Sequence, residues 1–386
     1  MRKTYEYRLR PTKAQEKRLV ATLHACRFIY NWGIEDRKVL WHYCHVSTNF
    51  NDQSCYLKHL KDANPWLKEV HAHPLQDAIR RVERSFDRFF KAAQHGHGYP
   101  RFKGRNQYDS FTFKEWGNGA SFNGKRLYLS KIGRVRIVLH RPIEGDIKIC
   151  TVKRRADGWY ALFSVVCEDP EPSTIRDPVG IDLGLESFAT LSTGEKIENP
   201  RYLRTNEQEL KVAHRKVSRR KKGSRRRRKA VQHLRQVHLR VQRSRKSFHF
   251  TEAYRLARRF NPIIVEHMNI KGMLRNHCLA GSITDASWGR FLGILSRSAE
   301  SAGGASIAVE ARGTSQECAQ CGRAVPKTLL ERWHVCPCGY IVPRDENSAR
   351  VILKRGLGRS VGEGACSKTL PMIREAAPLE RQRSVT

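Results

Sequence analysis

Between Lys211 and Lys246 the chain carries 17 Lys or Arg residues and not one Asp or Glu. Cations at that density repel one another unless a polyanion lies among them, so this stretch cannot close a compact core on its own. Its apolar positions nevertheless keep helical spacing, first Leu234, Val237 and Val241, then Ala253, Leu256 and Ala257. Gly223-Ser224 interrupts the pattern, which predicts helices broken at that point. Around the break lie Arg219, Arg220, Lys221, Lys222, Arg225, Arg226, Arg227, Arg228 and Lys229, the candidate nucleic-acid contacts. Phosphate backbones bind such clusters by releasing their counterions. A solvated basic face is the other reading of a charge run.

The rest of the chain has the same sign. Lys and Arg number 73 against 37 Asp and Glu, a formal charge of +36 over 386 residues, more than solubility requires. A ribosomal or merely soluble basic protein is the bland account; a polyanionic partner is the stronger one. No apolar run approaches the ~18 residues of a membrane span, and no signal-like apolar segment follows Met1. The expectation is a cytoplasmic protein, nucleoid-associated in use, with no membrane partner. Its length suits two or three domains at roughly 100 to 200 residues each.

Along the chain, an alternating run reaches Pro11, and Thr12 is placed to cap the helix that follows. Leu19, Leu23, Cys26 and Tyr30 share one face of that helix, and Leu75, Ala78, Ile79, Val82, Phe86 and Phe89 form a second stripe. From about residue 95 to 170 the texture changes to short aromatic and β-branched runs, SFTFKEW, RLYLS, RVRIVLH, IKICTVKRR and WYALFSVVCE, separated by turn residues. These read as an antiparallel β-barrel or sheet. EDPEPSTIRDP reads as a linker, and VGIDLGLESFATLSTGEKIE as two strands joined by a tight turn. Strand NPIIVEH, a helix after Trp288, strand ASIAVEA, a cysteine cluster, helix ENSARVILKRG and a polar tail complete the order.

Three acids stand out in this order. Asp182 interrupts the apolar strand VGIDLG, Glu266 ends the apolar run IIVE, and Asp345 opens the last helix. Singly, each has an ordinary account as an exposed strand-end acid or a helix cap. An Asp within an apolar strand, however, costs several kcal/mol, on the order of 2 to 7, unless a cation or hydrogen bonds compensate it. Divalent metal is its natural partner, and three carboxylates from separate elements could hold the two Mg²⁺ ions of a phosphodiester-cleaving site. Strand, hairpin, basic helices, strand, helix and a final acid-bearing helix are compatible with an RNase H-like fold split by insertions, in a mixed α/β chain.

Of 11 cysteines, four fall within 21 residues: Cys318 and Cys321 as C-x-x-C, then Cys336 and Cys338 as C-x-C. Four thiolates suit a closed, structural zinc site with no open catalytic position. Cys26, Cys44, Cys55, Cys150, Cys167, Cys278 and Cys366 are scattered, and are expected for the most part to be buried apolar residues.

Together these segments resemble a known family. VGIDLGLESFATLS, IIVEHMNIKGM with ITDASWGRF, and ECAQCG through RDENSARVIL look like the three RuvC motifs and zinc element of TnpB proteins of bacterial insertion sequences. LRPTKAQEKRL, CRFIYNWGIEDR and YPRFKGR are similar to that family's start and middle, so the resemblance covers about residues 1 to 355. It implies an RNA-guided DNA endonuclease that carries a guide RNA, meets double-stranded and single-stranded target DNA beside a short motif, and cuts both strands. It also implies that Asp182, Glu266 and Asp345 hold catalytic Mg²⁺ or Mn²⁺. The family pattern has C-x-x-C in its second half, so this chain departs by one residue: either a tighter turn still presents Cys338, or His334 takes its place.

The domain expectation that follows is residues 1–12 as the first strand of a wedge-like β-rich region, 13–94 as a helical recognition region and 95–175 as the rest of the β-rich region. A RuvC-like nuclease domain with its basic helical insertion spans 176–312, a zinc element 313–342, the last nuclease helix 343–360 and a disordered tail 361–386. A miniature type V CRISPR effector would have the same parts. A non-catalytic nucleic-acid binder acting as a repressor, and a strand-joining transposase, are the other readings; the three intact acids weigh against the repressor.

Overall fold

A computed structural model describes residues 1–91, 98–105, 107–122, 124–173, 176–328 and 331–358. The expected tail and Cys366 lie outside these. The chain divides into two compact units, Met1–Glu168 and Asp169–Thr386.

The first unit begins with β1 (Arg2–Arg10), whose Tyr5, Tyr7 and Leu9 alternate into the core. Thr12 caps α1 (Lys13–Cys44) in a capping box with Gln15, satisfying two backbone donors that a helix start otherwise leaves open. Leu19, Leu23, Cys26 and Tyr30 are all buried. α2 (Phe50–Ala63), a 3-10 turn (Pro65–Glu69) and α3 (Ala72–Lys91) follow. Then come β2 (Ser110–Phe113), β3 (Ala120–Phe122), β4 (Arg126–Leu129), β5 (Gly133–Val138), β6 (Asp146–Arg155) and β7 (Gly158–Val166). The seven strands pair as β2-β6-β7-β1-β5-β4-β3, antiparallel throughout. β1 sits in the middle, with Tyr5 opposite Phe163 and Leu9 opposite Ile137. Arg81 binds α3 to β2, donating to the Ser110 carbonyl at 3.0 Å and to Thr112 Oγ1 at 3.2 Å while holding Asp77 at 2.8 Å.

The second unit contains β8 (Val179–Asp182), β9 (Ser187–Leu191), β10 (Lys196–Glu198), α4 (Tyr202–Thr205), α5 (Glu207–Ser218), α6 (Arg225–Arg259), β11 (Ile263–His267), α7 (Ile270–Met273), α8 (His277–Ala286), α9 (Trp288–Ser301), β12 (Ser306–Glu310), β13 (Trp333–Val335), β14 (Ile341–Pro343) and α10 (Arg344–Gly358). Its main sheet runs β10-β9-β8-β11-β12, antiparallel from β10 to β8 and parallel from β8 to β12. The segment expected to hold two strands holds three, because Lys196–Glu198 also pairs, opposite β9. Period-two alternation sorts the sheet's residues. Val179, Ile181, Ile263 and Val265 pack with Ala253, Leu256 and Ala257 of α6 and Phe291 of α9, whereas Ile264, Val309 and Ile352 of α10 form a separate cluster.

α10 lies unusually close to its face of the sheet. A Cβ on Gly180 would stand 2.1 Å from the Ala349 carbonyl oxygen, and one on Gly356 would stand 2.4 Å from Ile264 Cγ1. Only glycine fits at either point.

The scattered cysteines correct the expectation made of them. Cys26 and Cys150 are buried, with thiols whose pKa burial pushes up, but Cys44, Cys55 and Cys278 are exposed and Cys167 is half-buried. The three exposed cysteines are surface residues, while Cys167 packs against the edge of the first unit's core. No described helix is long and apolar enough to cross a membrane.

We expect Gly180→Ala to lower the unfolding free energy of the second unit by about 1 to 3 kcal/mol, the usual cost of forcing atoms into a space already filled. Urea unfolding followed by tryptophan fluorescence measures it, and an unchanged midpoint would show that α10 does not need the close approach.

Candidate functional site

β8 and β11 run side by side with Val179 opposite Ile263, Gly180 opposite Ile264 and Ile181 opposite Val265. One step further, Glu266 comes beside Asp182 at the C-terminal ends of both strands. Side chains two apart share a face, so Asp182 follows Gly180, and Glu266 follows Ile264, onto the side that α10 covers. Ligands collect at such carboxyl ends of parallel strands. Asp345 lies in the first turn of α10, where a helix start favours negative charge. It is therefore within the helix and not its cap. Asp182 closes β8 instead of standing at its centre, and all three acids are half-buried.

The electrostatics tie the three together. Burial first, then the charges of Glu266 and Asp345, push the Asp182 pKa up to about 7, against the pull of Arg344. Burial likewise raises Glu266, opposed by the Thr314 hydroxyl and by Arg355. Like charges held together in a dry place destabilise one another until a cation arrives, and hard carboxylate oxygens suit Mg²⁺ or Mn²⁺. The residues therefore fit a divalent metal. Among the described residues, the side chains already close enough to share one ion are the four cysteines; the carboxylates converge without reaching that spacing.

Cys318, Cys321, Cys336 and Cys338 bring their sulfurs within 4.8 Å of one another. Cys318 and Cys338 are 3.8 Å apart and Cys321 and Cys336 3.6 Å apart, matching the edge of about 3.8 Å that Zn–S bonds of ~2.3 Å give a tetrahedron. Two glycines in left-handed conformation close the turns, Gly322 at φ 75° and Gly339 at φ 86°. In the first, the Gly322 amide donates to the Cys318 carbonyl four residues back; in the second, the Gly339 amide donates to the Cys336 carbonyl only three back, each at 2.9 Å. The shorter turn absorbs the missing residue. His334 is fully buried against Lys327 and stays outside the group of four. The backbone at Arg323 is the first cause holding the Cys321 thiol down to about 7, while at Cys336 the pull of the Cys338 backbone is outweighed by burial and the neighbouring thiols, which push it up to about 12, so without a metal the four sulfurs share their protons unequally.

The basic run forms a helical hairpin. α5 ends at Ser218, Ser224 caps α6 by accepting from the Arg227 amide, and the turn between them is exposed. Arg219, Arg220, Lys221, Lys222, Arg225, Arg226, Arg228 and Lys229 all point to solvent. Arg227 is half-buried and donates to the Val217 carbonyl at 2.7 Å and the Arg220 carbonyl at 2.9 Å, so it fastens the turn. Acids that reach the hairpin pair elsewhere: Glu207 with Lys211, Glu209 with Arg240, Asp285 with Arg245. Further along α6, Lys246, Phe250, Tyr254 and Arg258 follow at four-residue intervals, with the two rings exposed and a cation over each. Sequence reading missed this stripe, although its spacing is plain once the helix is known.

The chain matches three family models: "Probable transposase" over residues 163–277, "Cas12f1-like, TNB domain" over 288–352 and "Helix-turn-helix domain" over 1–43. It is 33% identical over 382 residues to a Streptomyces pristinaespiralis protein named "Putative RNA-guided DNA endonuclease", covering 94% of this chain and 92% of that one. The chain belongs to the TnpB family. An Escherichia coli K12 relative, "Putative RNA-guided DNA endonuclease InsQ", is 26% identical over 91% of this chain and 92% of its own. Among solved structures, the mini-RNA-guided endonuclease CRISPR-Cas_phi3 aligns over 92% of each chain at 9% identity with a TM-score of 0.48. Two residues of this TnpB-family chain escaped the sequence reading, Thr314 beside Glu266 and Asn347 beside the first cysteine turn. Ordinary polar residues in a motif carry no signal of their own.

Freshly purified protein should contain one zinc per chain by elemental analysis. Cys338→Ser should lose that zinc, while His334→Ala should keep it; the reverse result would put the histidine in the site.

Proposed function

We propose that this chain is the RNA-guided DNA endonuclease of a transposable element, and that its second unit is an RNase H-like, RuvC-type nuclease domain cutting target DNA at Asp182, Glu266 and Asp345. The observation that carries the reading is the convergence of these acids on one face of the sheet, beneath the start of α10, with their charges working against one another. The names of its relatives support it. Asp182, Glu266 and Asp345 would hold Mg²⁺ or Mn²⁺. Bound there, a pair of such ions supplies an activated water and a Lewis acid for phosphodiester hydrolysis.

The remaining residues grip and position. Exposed cations of the α5–α6 turn hold guide RNA or DNA phosphates, and Phe250 and Tyr254, between Lys246 and Arg258, offer ring faces on which unpaired bases stack. The four cysteines hold zinc in a closed site that leaves no position for chemistry. The first unit is read as a wedge-like β-rich region, its sheet curling in barrel fashion, with α1 to α3 inserted as a recognition region.

Purified with its co-expressed RNA, the protein should cut a matching DNA in Mg²⁺. Asp182→Ala, Glu266→Ala and Asp345→Ala should each abolish cutting and leave RNA and DNA binding intact, because a metal ligand is removed and no cation is. Undiminished cleavage by any one variant would remove that residue from the site, and absence of metal-dependent cutting by the parent would leave a nucleic-acid binder.

Neutralising Arg219, Arg220, Lys221 and Lys222 together should weaken nucleic-acid binding and flatten its salt dependence, by about one unit of slope for each phosphate no longer held. Equal slopes for variant and parent would return the turn to an ordinary solvated face.

A further inference from the structure

The segment that leads into the cysteine cluster touches the carboxylate site twice. Thr314, four residues before Cys318, is buried at 3% exposure. Its hydroxyl donates to Glu266 Oε1 at 2.5 Å and also lies 3.0 Å from the Ala311 carbonyl. A hydroxyl has one proton, and a charged carboxylate is the stronger acceptor. Glu266 thus has one carboxylate oxygen fixed by the Thr314 hydroxyl.

Asn347 provides the second link. It lies two residues after Asp345 in α10 and is fully buried. Its Nδ2 donates to the Glu317 carbonyl at 2.7 Å, and its Oδ1 accepts from the Ala319 amide at 2.9 Å. Glu317 and Ala319 flank Cys318, so one side-chain amide bridges the backbone on both sides of a candidate zinc ligand. Farther along α10, Arg355 holds the Glu317 carboxylate through Nε at 3.2 Å and Nη2 at 2.6 Å, and donates to the Glu310 and Arg312 carbonyls at 3.0 and 2.8 Å. Residues 310–319 are pinned to α10 at both ends, and through Thr314 to β11.

We propose that the zinc element is the scaffold of the carboxylate site, with Thr314 and Asn347 as positioning residues that set the Glu266 carboxylate and the first turn of α10 carrying Asp345. This rests on the nuclease reading above and deepens it. Zinc fixes the loop around Cys318, the loop fixes Asn347 and Thr314, and these fix two of the three acids. A zinc element serving only to hold its own fold, or to touch nucleic acid, would need neither bond.

The test uses the full chain with its bound RNA and three variants. Thr314→Val keeps the shape and loses the hydroxyl; Thr314→Ser keeps the hydroxyl; Asn347→Asp replaces the Nδ2 donor with an oxygen facing the Glu317 carbonyl. Three quantities are read: zinc per chain, Mn²⁺ affinity from the electron paramagnetic resonance signal of free Mn²⁺, and the Mg²⁺ concentration that gives half-maximal cleavage. We expect Thr314→Val to keep its zinc and bind RNA as the parent does, while Mn²⁺ affinity falls and the Mg²⁺ requirement rises about 10- to 100-fold, the usual effect of removing a group that orients a metal ligand. Thr314→Ser should restore both, and Asn347→Asp should behave as Thr314→Val does. Parent-like Mn²⁺ affinity and Mg²⁺ requirement in Thr314→Val would overturn the proposal, as would failure of Thr314→Ser to restore them. Should Asn347→Asp lose its zinc, the two Thr314 variants decide, since that residue is no zinc ligand. A parent that binds Mn²⁺ but does not cut would refute the nuclease reading alone, and Mn²⁺ affinity would still judge the scaffold.

Discussion

The candidate site depends on a close approach between backbones. α10 reaches the sheet where Gly180 has no side chain to hold it off, with the Ala349 carbonyl in the space a methyl group would occupy. Had β8 carried alanine there, the helix would stand away from the strand, and Asp345 with it. Gly356 repeats the device against Ile264 at the far end of the helix. Two missing side chains thus set how near an acid on a helix comes to two acids on strands. The same closeness sets the charges of Glu266 and Asp345 against Asp182 and, with burial, raises its proton affinity, so the geometry that suits a metal is costly without one.

Much of this was legible in the sequence because the signals are local. Thr12 after Pro11 announces a helix start, and the apolar stripes of α1 and α3 repeat often enough to be read. The break at Gly223-Ser224 and the ends of β8 and β11 follow from turn residues and apolar runs. What escaped was short or distant. β3 is three residues between glycine turns and β10 is three residues after one, too brief for a period to emerge. Residue types singled out Asp182, Glu266 and Asp345 as candidates, but only the register of β8 against β11 puts the first two on one face of the sheet.

The cysteine cluster shows the same limit differently. Counting residues made C-x-C look one short, because spacing is read along the chain whereas a metal reads positions in space. A turn closed at the third residue instead of the fourth, with glycine in the left-handed region, still brings the Cys338 sulfur to within 3.8 Å of that of Cys318. Arg227 makes a parallel point for the basic run. One of nine apparently equivalent cations is spent on the carbonyls that end α5, a use that charge counting cannot distinguish from phosphate binding.

The position of β1 bears on how the protein is made. It leaves the ribosome before either of its neighbours in the sheet, β5 and β7, which lie beyond three α-helices and, respectively, three and five further strands. At roughly 5 to 20 residues per second, on the order of ten seconds pass before β5 and β7 exist to receive it. During that wait Tyr5, Tyr7 and Leu9 have no sheet to enter, and both edges of the strand lack partners. Closing so long a loop also makes the pairing slow in its own right. The first unit therefore cannot close its sheet until β7 is made, and a nascent chain stopped before β7 would present an unpaired, aromatic strand edge to chaperones or to other copies of itself.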